Sequence, residues 1–146
     1  MSIQVNGRSF RLYLSQDQIK QRIDALGAEL RQQLTGREVV FIVILKGSIF
    51  TAADVIRSYG QSCTIEAVRA RSYRGMSSSG TVEISMTDTV DLKGKTVVII
   101  EDIVETGRTL QAIHHHLSQS GAQEVLTLSL LRKPSAMKNP IPVDFV

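Results

Sequence analysis

Three carboxylates and a turn of small residues form the stretch of this sequence that could do chemistry. Glu101, Asp102 and Glu105 precede residues 106–109, which read Thr-Gly-Arg-Thr. The backbone N–H groups from Glu105 through this turn would form an anion cradle, and Gly107 would let the chain turn tightly enough to aim them at one phosphate. The carboxylates suit ribose hydroxyls, hydrated Mg²⁺ or a proton-accepting role. A phosphate cradle beside an acidic edge predicts a sugar phosphate as ligand.

The segments on either side predict how this stretch is positioned. Residues 96–100 form an almost wholly apolar β-branched run, typical of a strand buried on both faces of a parallel sheet, and this run ends at the acidic pair. Leu110, Ile113 and Leu117 have helical spacing, so a helix is predicted directly after the turn. Ligands usually bind at the carboxyl ends of such strands. Alternatively the acidic residues only end a strand and cap a helix, which is the weaker interpretation for three carboxylates followed by this turn.

Residues 97–110 also carry a family signature. They read Val-Val-Ile-Ile-Glu-Asp-Ile-Val-Glu-Thr-Gly-Arg-Thr-Leu, which is neither a Walker loop nor a dinucleotide-binding glycine turn. The stretch resembles the phosphoribosyl pyrophosphate signature of type I phosphoribosyltransferases, most closely the hypoxanthine-guanine branch. The resemblance implies one α/β domain over residues 1–146, with a mainly parallel central sheet, helices on both faces and an antiparallel lid hairpin.

A second strand-to-helix junction is predicted to lie in the same crevice. The apolar run 39–45 predicts a buried strand, followed by a helix from about Ser48 to a stop at Gly60. Between them, Lys46 could neutralise a pyrophosphate while the Gly47 backbone approaches it closely. A Lys-Gly pair alone is more often only a turn. By resemblance it is the pyrophosphate loop, which in relatives contains a cis peptide just before the glycine side.

The middle of the chain predicts a lid. Two segments alternate between apolar and polar residues, at Cys63, Ile65 and Ala67 and at Val82, Ile84 and Met86. They predict an antiparallel pair of strands. The segment between them is rich in Ser and Gly, has little to bury and is predicted to move. Its plain interpretation is a long hairpin loop, but Ser72 and Tyr73 before a Ser/Gly run resemble the family's flexible loop, so we favour a lid over about residues 72–81 that excludes water from an oxocarbenium-like centre.

The resemblance implies a reaction and a role for each site residue. The reaction is Mg²⁺-dependent transfer of ribose 5-phosphate from phosphoribosyl pyrophosphate to N9 of hypoxanthine or guanine. Glu101 and Asp102 would engage the ribose hydroxyls directly or through hydrated Mg²⁺, and Glu105 would exchange a proton with the purine. Lys133, after the strand predicted at 124–131, would donate to the exocyclic oxygen of a 6-oxopurine. The remaining substrate contacts are expected at Ile103, Val104, Thr106, Gly107, Arg108 and Thr109.

Two features depart from the family pattern. Glu105 stands where the family usually has Asp, and a displacement of about 1 Å can cost on the order of a hundredfold in rate. The sequence also stops at residue 146, where relatives continue with an aromatic residue that stacks on the purine and an aspartate near the second metal. We interpret the chain as shortened. The alternative is a reduced C-terminal hood that binds a partner.

Charge and composition argue against several other functions. The net charge is +3, but no Lys/Arg cluster or interleaved aromatics mark a nucleic-acid face. The longest apolar run, 39–45, is too short to span a bilayer, and no signal-peptide core is recognisable. Cys63 is the only cysteine, so no internal disulfide forms and we predict a cytoplasmic protein. A homo-oligomer, dimer or tetramer, is implied by the family alone.

The other patterns are structural. Ser15 and Gln18 form a capping-box pattern for a helix over 15–34 that is predicted only to pack. The consecutive histidines 114–116 point about 100° apart on a helix, so we predict helix surface and no metal site. Two alternative functions stay open: a regulator on the same fold that senses phosphoribosyl pyrophosphate and binds nucleic acid or protein, and the same transfer to xanthine or uracil. Lys133 disfavours adenine.

Overall fold

A five-stranded sheet carries the site. The computed structural model describes residues 2–72, 82–87 and 89–146. In spatial order the strands are β5 (Val82–Met86), β4 (Thr64–Ser72), β3 (Val39–Leu45), β6 (Thr96–Val104) and β7 (Glu124–Arg132). All neighbours are parallel except β4 and β5, which are antiparallel. This confirms the predicted mainly parallel sheet and its antiparallel pair.

Three helices cover the two faces of the sheet, as predicted. Helices α1 (Gln16–Gln33) and α2 (Ile49–Tyr59) pack on one face, and α3 (Arg108–Ser118) packs on the other. Alternate residues of a strand point to opposite faces, so Ile100 joins the core under α1 and α2 while Ile99 joins the core under α3. Both are fully buried, which for such a side chain contributes about 1.5–3 kcal/mol.

The predicted helix ends are present. The Ser15 Oγ accepts from the Gln18 backbone N–H at 3.2 Å, and the Ser15 N–H donates to Gln18 Oε1 at 2.8 Å, which completes the capping box of α1. Helix α2 ends at Gly60, whose φ of 60° is left-handed. On α3, His115 and His116 are exposed and His114 Nε2 lies 3.1 Å from the Val125 carbonyl, so the histidines form helix surface as predicted.

The chain begins with a β-hairpin that was not predicted from the sequence. Strands β1 (Ser2–Val5) and β2 (Arg8–Arg11) pair antiparallel around Asn6 and Gly7, whose φ values are 50° and 73°. All residues of both strands are exposed. An Asn-Gly pair between alternating apolar residues is the strongest short-range hairpin signal, and it was available here.

None of the helices in the described part of the chain combines the length and the apolar character that crossing a membrane requires.

Helices α1 and α2 cross very closely at Gly27. A Cβ added there would overlap Ser58 Oγ and lie 2.7 Å from the Ser58 Cβ and carbonyl carbon. Gly→Ala in a helix normally gains about 1 kcal/mol. Here the helices must separate instead, so we expect Gly27→Ala to lower the free energy of unfolding by about 2 kcal/mol in urea titrations. Ser58→Gly should recover part of that loss in the double variant, and a stabilising Gly27→Ala would contradict the close crossing.

Candidate active site

Strand β6 extends further than the sequence indicated. The apolar run predicted a strand over 96–100, but β6 continues to Val104. Its pairing with β3 ends at Val43 and Ile100, whereas its pairing with β7 continues to Val104 opposite Arg132. Glu101 and Asp102 therefore lie inside the strand and not after it. The strand is longer because β7 still supplies hydrogen-bond partners where β3 has ended, and the acidic pair lies where β6 has lost its β3 neighbour.

A buried hydrogen bond fixes the loop between β3 and α2. The Leu45–Lys46 peptide bond is cis, at the place the family resemblance implied. Ser48 is fully buried, and its hydroxyl donates to the Ile44 carbonyl across the loop at 2.6 Å. This hydroxyl positions Lys46 and Gly47 at the end of β3. Sequence reasoning overlooked this role of Ser48, and its only signal was a Ser directly after the Lys-Gly turn.

The loop after β3 meets the acidic pair of β6. A Cβ added at Gly47 would lie 3.2 Å from Asp102 Oδ2 and 3.4 Å from Asp102 Oδ1. The Gly47 backbone and the Asp102 carboxylate are therefore neighbours, and a larger residue at 47 would crowd the carboxylate. Gly47 and Asp102 thus meet at the carboxyl ends of adjacent parallel strands, where ligands usually bind, and Lys46 precedes Gly47 in the same loop.

The turn after β6 leads directly into α3. Gly107 is the N-cap of α3 with φ 76°, and its carbonyl accepts the first helical bond from the Gln111 N–H at 2.9 Å. A cavity of about 200 Å³ lies against Glu101 and residues 103–110. Within the described chain, the backbone N–H groups of residues 105–109 donate to no protein acceptor. These free donors at a helix N-terminus favour an anion, and the structure brings together Thr106, Gly107, Arg108 and Thr109 around that cavity.

Glu105 and Lys133 come together across the ends of β6 and β7. Lys133 Nζ lies 3.5 Å from Glu105 Oε1, and each side chain is about half exposed. The Lys133 backbone N–H donates to the Val104 carbonyl at 2.9 Å, which fixes where its side chain starts. Nearby, Ile103 is directly paired with Leu131, and both are more than a third exposed. An exposed cation, a carboxylate and an apolar strip thus lie along one sheet edge.

The pKa of the Glu101 carboxyl is strongly perturbed. Burial, and secondarily the adjacent Asp102 carboxylate, raise its pKa to about 8. Its Oε1 also accepts from the Asp102 backbone N–H at 3.0 Å, which opposes the shift without reversing it. In the ligand-free protein at neutral pH this carboxyl is therefore mainly protonated. A cation bound beside it would favour the ionised form.

This shift predicts how stability depends on pH in magnesium-free buffer. Between pH about 4.5 and about 8 the folded protein keeps a proton on Glu101 that the unfolded chain releases, so this group makes stability fall as pH rises. We expect Glu101→Gln to remove that fall and to be more stable than the parent by on the order of 2 kcal/mol at pH 8. Urea titrations from pH 5 to 8 measure it. Glu38→Gln, at an exposed carboxylate, is the control, and parallel pH profiles for parent and Glu101→Gln would contradict the prediction.

The carboxylates of Glu101 and Asp102 suit a hard cation such as Mg²⁺ that is also coordinated by a bound substrate. Among residues 2–72, 82–87 and 89–146 no cluster of three His, Cys, Asp or Glu forms a ready metal cage. The Asp102 carboxylate does lie beside the Gly47 backbone, and the Glu101 carboxylate accepts from the Asp102 backbone N–H at 3.0 Å. Mg²⁺ typically takes one or two carboxylates together with water and substrate phosphates. The two carboxylates fit that mode of binding.

The predicted lid lies almost wholly outside the described residues. Tyr73 is among the residues that are not described. Ser72 ends β4, where its backbone pairs with Val82. The lid over residues 72–81 therefore stays a prediction, as do the contacts of Ser72 and Tyr73 with a ligand.

Comparisons with known proteins give a family match and similar structures. A family model described as a phosphoribosyl transferase domain matches residues 13–145. The chain is 31% identical over 145 residues to the hypoxanthine-guanine phosphoribosyltransferase of Aquifex aeolicus, covering 98% of this chain and 82% of that protein. It is 33% identical over 132 residues to the hypoxanthine phosphoribosyltransferase of Escherichia coli K12, covering 88% and 74%. A crystal structure of a hypoxanthine phosphoribosyltransferase from Staphylococcus aureus superposes with a TM-score of 0.84 at 31% identity, covering 92% of this chain and 74% of that one.

Proposed function

Since the chain belongs to the phosphoribosyltransferase family, in its hypoxanthine-guanine branch, we propose that the crevice at the carboxyl end of β6 is its active site. The enzyme is a transferase of purine salvage that makes a nucleotide and pyrophosphate from phosphoribosyl pyrophosphate and hypoxanthine or guanine. The observation that carries the placement is the meeting of the Gly47 backbone with the Asp102 carboxylate, a few residues before a cradle of unpaired backbone donors.

The donor substrate would bind along residues 101–109. The free N–H groups of residues 105–109 and the hydroxyls of Thr106 and Thr109 would hold the 5-phosphate. Asp102 and Glu101, a few residues earlier in β6, would accept from the ribose hydroxyls. Lys46 and the Gly47 backbone would contact the pyrophosphate at the neighbouring strand end, where the Lys46 ammonium offsets its charge.

Mg²⁺ is the cofactor we propose, held by Glu101 and Asp102 together with the oxygens of the donor. When bound, it would neutralise charge on the departing pyrophosphate. The protein's own contribution is to keep these carboxylates on a strand that is hydrogen-bonded to β7, so their position is set by the sheet. Carboxylates so placed would also stabilise positive charge that develops at the ribose C1.

The purine would bind over the end of β7. Lys133 would donate to the 6-oxo group, and Glu105, 3.5 Å from the Lys133 ammonium, would accept the purine proton. Ile103 would offer apolar contact to the ring. A lysine at this point donates and cannot accept, which favours an oxo group over an amino group at the selected position.

The first test is turnover by this 146-residue chain. Pyrophosphate release and nucleotide formation are measured with phosphoribosyl pyrophosphate and Mg²⁺, with hypoxanthine, guanine, xanthine, adenine and uracil offered separately. We expect turnover with hypoxanthine or guanine, and its loss when a chelator removes Mg²⁺. Lys133→Met is expected to weaken discrimination against adenine, with Lys138→Met as the matched control. No turnover with either 6-oxopurine, despite tight donor binding, would favour the regulator described above.

Two further expectations stay predictions. The family implies a homo-oligomer, and sedimentation equilibrium would distinguish monomer, dimer and tetramer. Placement in the cytoplasm follows from the sequence analysis, and fluorescence microscopy of a tagged protein would check it.

A further inference from the structure

A single carbonyl in the phosphate turn receives three donors from a distant segment. The Thr106 carbonyl oxygen accepts from the backbone N–H groups of Asn139 at 2.9 Å and Lys138 at 3.2 Å, and from the Asn139 side-chain Nδ2 at 3.3 Å. These donors lie just after the short 3₁₀ turn Pro134–Ala136, which follows β7. The turn that opens α3 is therefore tied to a segment more than thirty residues away along the chain.

This tie fixes the direction of a donor in the cradle. The Thr106 carbonyl and the Gly107 N–H belong to one planar trans peptide, in which the two groups point in opposite directions. With the carbonyl held toward residues 138–139, the Gly107 N–H points away from them. It has no acceptor within the described chain and lies against the cavity beside Glu105.

The same segment closes the rear of the turn. The space behind Gly107 is filled by the Asn139 carbonyl and by Met137 Sδ, since a Cβ added at Gly107 would overlap the former and lie 3.0 Å from the latter. The peptide between Thr106 and Gly107 therefore cannot rotate backward without displacing residues 137–139. An amide aimed at a ligand in advance costs no reorganisation when that ligand binds.

We propose that Asn139 is a positioning residue for 5-phosphate binding, which acts through the Thr106 carbonyl and aims the Gly107 N–H into the cradle. Its side chain contributes the one donor of the three that mutation can remove without altering the backbone. The proposal rests on the proposed function, because it takes the ligand of this cradle to be the 5-phosphate. Asn139 touches no reacting atom in this scheme.

The test compares two ligands that use different halves of the crevice. Calorimetry measures binding of ribose 5-phosphate, which needs the cradle, and of pyrophosphate with Mg²⁺, which needs Lys46 and Gly47. For Asn139→Ala and the isosteric Asn139→Asp we expect ribose 5-phosphate affinity to fall by about fivefold or more, as for loss of one hydrogen bond. Pyrophosphate affinity is expected to stay within about twofold. Ser135→Ala, at an exposed position in the same 3₁₀ turn, should change neither.

Equal weakening of both ligands would show a general loss of structure and overturn the proposal, as would unchanged ribose 5-phosphate affinity in both Asn139 variants. Amide hydrogen exchange gives a readout that needs no ligand. We expect Asn139→Ala to speed exchange at the Lys138 and Asn139 amides, since both bond the same carbonyl. If the parent binds neither ligand, the proposed function fails, and unchanged exchange in the variant then overturns the positioning role separately.

Discussion

Glutamine in place of Glu105 is expected to lower kcat by about a hundredfold while the Kd for phosphoribosyl pyrophosphate stays within about twofold. General acid–base catalysis by a positioned side chain typically contributes 10² or more, and the amide cannot take the purine proton. Donor binding should persist because the cradle uses backbone N–H groups and the pyrophosphate loop, none of which the substitution removes. Single-turnover rates and equilibrium binding of the donor measure the two quantities independently.

Glu105→Asp is the matched variant, because it keeps the carboxylate on a side chain that is one methylene shorter. In the parent, Glu105 Oε1 lies 3.5 Å from Lys133 Nζ. We expect its kcat to be much higher than that of Glu105→Gln, because it keeps a carboxylate that can accept the purine proton. An unchanged kcat in Glu105→Gln would remove Glu105 from the chemistry. A large loss of donor affinity would instead assign Glu105 to ribose or phosphate binding.

Alanine in place of Gly107 is expected to reduce ribose 5-phosphate affinity by at least about a hundredfold. The backbone at Gly107 is left-handed with φ 76°, which costs a residue with a Cβ about 1–2 kcal/mol. The added methyl would also overlap the Asn139 carbonyl, so the turn must move away from residues 137–139. That movement rotates the donors of the cradle out of alignment, and calorimetry with ribose 5-phosphate measures the loss.

Gly36→Ala and Gly94→Ala are controls that separate the backbone strain of a left-handed residue from the overlap with the Asn139 carbonyl. These glycines are also left-handed, with φ 74° and 72°, but no atom lies within 4 Å of an added Cβ at either position. Each should lower the free energy of unfolding by about 1 kcal/mol and leave ligand affinity unchanged. If Gly107→Ala lost no more affinity than these controls, the contact with Asn139 would play no part in shaping the cradle.

Much of the fold was predictable because burial on both faces leaves a simple pattern. The runs that became β3 and the first part of β6 are buried between helices, so apart from Thr96 their side chains are apolar, and the strands follow directly. The capping box at Ser15 and Gln18 and the glycine at 60 identified helix ends by local chemistry alone. The turn at Gly107 that opens α3 was predictable for the same reason, since a glycine turn before a helical repeat is a local signal.

The features that the sequence analysis missed depend on partners far along the chain. The extension of β6 through the polar pair Glu101–Asp102 requires β7 to reach Arg132, which no pattern within β6 reveals. The bonds from residues 138–139 to Thr106 join segments more than thirty residues apart. The raised pKa of Glu101 arises from burial that only the folded chain creates. The N-terminal hairpin differs, because its Asn6-Gly7 turn was a local signal that went unused.

The exposure of that hairpin has a practical consequence for proteolysis. A two-stranded hairpin without a covering layer is at best marginally stable, so it opens often enough for a protease to bind its extended backbone. Arg8 and Arg11 both lie in its second strand and are exposed, whereas Arg132 is hydrogen-bonded into the central sheet at the end of β7. Brief trypsin treatment should therefore cut at Arg8 and Arg11 well before Arg132.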